Sequence, residues 1–80
     1  MDLKIELSVN EYYQLCDACR AFPSYAILKR AIFRENTAGI GDRFAIHCTL
    51  REAGELLDVA RRHSLTAAVP IEKTIRTSPM

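Results

Sequence analysis

The sequence predicts an α+β domain, mostly helical, in which one β-α-α unit occurs twice. Three observations carry this. Two short stretches, around residues 3–8 and 43–48, alternate apolar and polar side chains at the period of a half-buried strand. Each runs directly into a helix-start signal, S-V-N-E in the first and T-L-R-E in the second. Placed 41 residues apart, the two segments coincide at about five of twenty positions, Ile5/Ile46, Glu11/Glu52, Leu15/Leu56, Asp17/Asp58 and Arg20/Arg61, where about one would be expected by chance.

Each element follows from local chemistry. In the first strand Leu3, Ile5 and Leu7 alternate with Lys4, Glu6 and Ser8. Ser8 and Glu11 then form a capping box, in which the hydroxyl accepts from an amide of the first turn and the carboxylate accepts from the cap's own amide. Val9, Tyr12, Cys16 and Cys19 recur at helical spacing, with Leu15 beside them, until Phe22-Pro23-Ser24 stops the helix. Ser24 is placed to cap a second, shorter helix through Ile27, Leu28, Ala31 and Ile32. Residues 34–42, with Gly39 and Gly41, read as a linker. The plan then restarts: Phe44, Ile46 and Cys48 alternate with Ala45, His47 and Thr49. Thr49 and Glu52 give the second capping box, and Leu50, Ala53, Leu56, Leu57 and Ala60 mark a buried helical stripe. The second copy runs two residues longer, which aligns Leu28 with Ile71 and Ile32 with Ile75. A last helix from about Val69 to Arg76 then carries Pro70 in its first turn, where proline is tolerated. The chain is thus one domain over 1–80, with repeat one at 3–33, a linker at 34–42 and repeat two at 43–76.

Composition narrows the function. With 49% apolar and 26% charged residues and only three glycines and three prolines, the 80-residue chain is globular rather than disordered or fibrous. MDLKIELSVN has no continuous apolar run, so neither a signal peptide nor a membrane span is expected. An odd number of cysteines without spaced pairs fits a reducing cytoplasm. The net charge of +1 means that any polyanion site would have to arise from local clustering. Paired carboxylates in a pocket-forming context, a nucleophile elbow and a glycine-rich phosphate loop are all missing, so no catalytic residue, no cofactor and no enzymatic activity are expected.

The stretch Cys16-Asp17-Ala18-Cys19 invites a metal or redox reading, and the duplication argues against both. Cys16 aligns with Leu57, Cys19 with Ala60 and Cys48 with Leu7, all apolar, and a free cysteine packs as a small hydrophobe. His47 and Cys48 are neighbours on a strand and point to opposite sides, so they do not complete a zinc site. Cys16 also lies about two turns inside its helix, away from the N-terminal dipole that activates a thiol. His63, beside Arg61 and Arg62, complements the negative end of its helix.

A strand feeding a capped helix and then a second helix, in KIELSVNEYYQLCDAC followed by SYAILKRAI, resembles the ribbon-helix-helix family of DNA-binding proteins, here in a tandem form with both units in one chain. The resemblance implies that the duplicated β-α-α units share a two-stranded antiparallel ribbon whose outward side chains enter the DNA major groove. On this reading Lys4, Glu6, Arg43 and His47 face base edges. A carboxylate such as Glu6 would accept from cytosine N4. Backbone amides near Ser24 and Thr66, at the starts of the second helices, would hold phosphates. Lys29 and Arg30, with Lys73 and Arg76, would add nonspecific attraction. The alternative keeps the fold but makes it a protein-interaction module, a small regulatory, antitoxin-like or phage-type inhibitor subunit. The expected partner is therefore double-stranded DNA or a protein, with a homodimer also open because a lone ribbon leaves its edges exposed.

Overall fold

Strands β1 (Asp2–Ser8) and β3 (Arg43–Thr49) pair antiparallel, and each passes without a loop into a helix, α1 (Val9–Cys19) and α3 (Leu50–Arg62) respectively. The computed structural model describes residues 2–35, 39 and 41–77. Both junctions are closed by the capping boxes that the sequence encodes. Ser8 Oγ accepts from the Glu11 amide at 3.2 Å while Glu11 Oε1 accepts from the Ser8 amide at 3.0 Å. Thr49 and Glu52 repeat the exchange at 3.2 and 2.9 Å. A sharp entry at each strand end lays α1 and α3 side by side beneath the sheet.

The inward faces follow the period of two. Leu3, Ile5 and Leu7 are buried on β1, and Ile46 and Cys48 on β3. Leu15 and Cys19 from α1 and Ala53, Leu56, Val59 and Ala60 from α3 complete the layer under them. Two short helices close its sides, α2 (Tyr25–Leu28) with Ile27 and Leu28, and α4 (Ala68–Arg76) with Ile71. After α3, Ser64 takes a positive φ of 54°, so that the Leu65 amide reaches back to the Ala60 carbonyl at 2.9 Å. This left-handed helix stop usually employs glycine. No helix among the described residues is long and apolar enough to cross a membrane.

The sheet corrects the two-stranded expectation. A third strand, β2 (Ile32–Arg34), pairs antiparallel with the far side of β3, in the order β1-β3-β2. Ile32 therefore belongs to a strand rather than to a second helix, and Arg34 is not linker. Residues 36–38 and 40 of the expected linker lie outside the described residues. The physical reason is the shortness of α2, a single turn whose end is marked by Arg30 and Ala31 amides donating to Ile27 and Leu28 carbonyls. Beyond that turn, the β-branched and aromatic pair Ile32-Phe33 gains more from the open edge of β3 than from another helical turn. Ser24 is a further correction. It precedes α2 in a helical conformation and makes no side-chain cap; its hydroxyl lies 3.7 Å from Cys19 Sγ instead.

Because β1 and β2 run in the same direction with β3 inserted between them, the path β1-α1-α2-β2 is a split β-α-β crossover. On the other side, α4 packs against β1 and α3. Glu72 of α4 holds both Arg61 of α3, at 3.2 Å, and Arg76, at 2.7 Å. Arg30, after α2, reaches Glu52 at the start of α3 with 2.6 Å between charged atoms.

Candidate interaction surfaces

The strand register brings the outward-facing candidates onto one surface. Lys4 lies directly opposite His47, Glu6 opposite Ala45, and Ser8 opposite Arg43. Arg34 of β2 stands beside Arg43. The surface is electrically mixed. Lys4 Nζ sits 3.8 Å from Glu6 Oε2, both side chains near half exposure. Glu6, Ala45 and Ile32 form a row across the middle, separating Lys4 and His47 from Arg43 and Arg34. Ala45 is only 1% exposed although it belongs to the outward set, and Ile32 beside it is 55% exposed. The third strand thus adds apolar Ile32 beside Ala45 and Glu6 in the middle of this face, between the Lys4–His47 pair and the Arg43–Arg34 pair.

The expected phosphate contacts are occupied differently. Amides of Tyr25, Ala26 and Ile27 donate to the carbonyls of Phe22, Pro23 and Ser24, and Ser24 itself is buried. Near Thr66, the amides of Ala68 and Val69 donate to Leu65 and Thr66 carbonyls, and the helix starts after Ala67 rather than at Thr66. Arg30 is committed to Glu52, and Lys29 Nζ lies 5.3 Å from the centroid of the Tyr25 ring.

A second surface gathers where α1, β3 and β2 meet. Tyr12 stacks on Phe44 with ring centroids 3.9 Å apart and planes 14° from parallel. Tyr13 presents its edge to both, at 5.6 Å from Tyr12 and 5.9 Å from Phe44, and Phe33 tilts against Phe44 at 5.3 Å. Tyr13 and Phe33 remain 59% and 49% exposed. An open groove of about 570 Å³ continues from Tyr12 and Tyr13 past Cys16, Asp17 and Arg20 to Tyr25. Phe33 joins this cluster only through the pairing of β2 with β3, which no local pattern in the sequence announces.

The Tyr12 hydroxyl anchors this cluster by donating to the Leu28 carbonyl at 2.9 Å, and burial, first among several causes, pushes its pKa up to about 12. Since the folded state favours the neutral phenol, the associated stability is complete below the ordinary value near 10 and is lost as pH rises toward 12. Tyr12→Phe is expected to cost about 0.5–1.5 kcal/mol at neutral pH and to flatten the loss of stability above pH 10. Urea unfolding at stepped alkaline pH checks both, and an unchanged slope would show that Tyr12 ionises as freely as in the unfolded chain.

Cys19 and Cys48 are buried and Cys16 is half-buried, and desolvation raises the pKa of Cys16 and Cys19. Among the described residues no three His, Cys, Asp or Glu side chains converge as a metal site would need. Comparison with protein-family models, with curated proteins and with solved structures gives no match for this chain.

Proposed function

We propose that the chain is a non-enzymatic protein-interaction module whose contact surface is the aromatic cluster of Tyr12, Tyr13, Phe33 and Phe44. The observation that carries this reading is the pair of rings, Tyr13 and Phe33, held about half exposed against a Phe44 that is itself locked by Tyr12. Exposed aromatic rings fixed by their neighbours lose little conformational freedom on binding, and such rings supply the anchors of protein interfaces. Asp17 and Arg20, paired at 3.2 Å, give the adjoining groove a polar rim.

A second reading, duplex DNA bound on the outward sheet face, is favoured by the register that sets Lys4 opposite His47 with Arg43 on the same side. It has less support, because Glu6 and Ile32 interrupt the cationic groups and a third strand widens the ribbon by about 4.8 Å. The finer architectural reading, two copies of one β-α-α unit about a pseudo-twofold, is supported by the same register. Ile5 faces Ile46, its counterpart 41 residues on, and that offset carries the pair Leu3–Cys48 onto the pair Phe44–Leu7.

One experiment separates the readings. Peptides selected from a displayed library against the wild-type chain are expected to carry apolar anchors and to bind the Tyr13→Ser, Phe33→Ser double variant at least about tenfold more weakly, with its circular dichroism unchanged. Equal binding to both proteins would reject the aromatic surface. In parallel, a duplex of about 20 base pairs is titrated from about 50 to 300 mM salt. Steeply salt-dependent binding that Lys4→Ala weakens would move the assignment to DNA.

A further inference from the structure

We infer that the open edge of β1 is a homodimerisation site, at which the β1 strands of two copies pair antiparallel about a twofold axis through Ile5. β1 is the end strand of the order β1-β3-β2, and among the described residues no other strand pairs with its outer side. α4 lies against β1, but the backbone bonds at its ends stay within its own turns, Ala68 to Leu65, Ile71 to Ala67 and Thr77 to Lys73. β1 is also seven residues long with neither proline nor glycine. Edge strands of this length are normally blunted or covered, because unpaired amides and carbonyls recruit another strand.

The strand's own sequence specifies a second copy as the occupant. In DLKIELS, Leu3 and Leu7 are placed symmetrically about Ile5 on the buried face, and Lys4 and Glu6 are placed symmetrically on the exposed face. Antiparallel pairing about Ile5 sets Lys4 of each copy opposite Glu6 of the other, and Leu3 opposite Leu7. Neighbouring registers fail. Centring on Lys4 opposes two lysines, centring on Glu6 opposes two glutamates, and any one-residue slip turns the apolar face outward. The existing Lys4–Glu6 contact, 3.8 Å long between exposed side chains, leaves both groups available for a partner. Two three-stranded sheets would join into one of six strands. The aromatic cluster, on the β2 side of the sheet, is left free, so the dimer stands or falls independently of the proposed partner surface.

Charge exchange tests the register. Sedimentation equilibrium of the wild-type chain is expected to show a dimer. Lys4→Glu and Glu6→Lys each replace two attractive pairs by two repulsive ones, raising the dissociation constant by about tenfold or more. The double variant Lys4→Glu, Glu6→Lys restores the dimer. An equimolar mixture of the two single variants forms a heterodimer, since the all-acidic edge of one meets the all-basic edge of the other. Both side chains are exposed, and circular dichroism verifies that each variant folds. A wild type that stays monomeric up to about 1 mM, or single variants that dimerise as well as wild type, would overturn the proposal.

Discussion

Ile46→Ala will remove about 2–5 kcal/mol of unfolding free energy, measured by urea denaturation followed by circular dichroism. Ile46 lies on the middle strand of the sheet, opposite Ile5, and is fully buried between β1 and the helices beneath. Removing its outer carbons empties the place where both halves of the chain meet, and the backbone there is paired with Ile5 of β1 and directly adjoins Ala45, where β2 pairs, so little collapse is available to refill it. A domain of this length is stabilised by roughly 4–12 kcal/mol in total, which makes this one substitution a large fraction. Ile46→Val, which deletes a single methylene, should cost only about 0.5–1.5 kcal/mol. A loss below about 1 kcal/mol for Ile46→Ala would mean that β3 is not the centre of the core.

What the sequence made legible was what is local. The alternation in β1 and β3 and the capping boxes at Ser8 and Thr49 each depend on residues within a few positions of one another, and the structure contains them; the helical stripes are met in part, with Leu15 and Cys19 buried on α1 and Ala53, Leu56 and Ala60 on α3. The Lys4–His47 juxtaposition follows once the two strands pair. β2 was hidden because Ile27, Leu28, Ala31 and Ile32 satisfy helical spacing, and a three-residue strand carries no period of its own. It exists through its partner, β3, a tertiary fact. Everything that depends on β2 was hidden with it: the burial of Ala45 behind Ile32, the place of Ile32 in the middle of the outward face, and the position of Phe33 beside Phe44. Cys16 fell between the two cases. Its helical phase points inward and it packs against the core, yet it is only half-buried because it also lines the groove beside Tyr12 and Tyr25.

The same dependence makes Phe44 the residue where packing and the proposed function separate most cleanly. Phe44→Ala is expected to cost about 3 kcal/mol, because its ring touches Tyr12, Tyr13 and Phe33 at once. Loss of stability alone would not speak to function, so the informative partner is Phe44→Leu, which keeps most of the apolar volume and should cost less than about 1.5 kcal/mol. Without a flat ring to stack on, Tyr12 loses its face-to-face neighbour, and Tyr13 and Phe33 lose the common surface that fixes their orientation. Binding of a selected peptide to Phe44→Leu should therefore fall by about tenfold or more at a temperature where the variant is fully folded. Thr66→Ala, on an exposed turn before α4, should leave that binding unchanged and serves as the matched control. Peptide affinity that survives in Phe44→Leu would mean that Tyr13 and Phe33 act without the stack, and that rigidity of the cluster is not what makes it a binding surface.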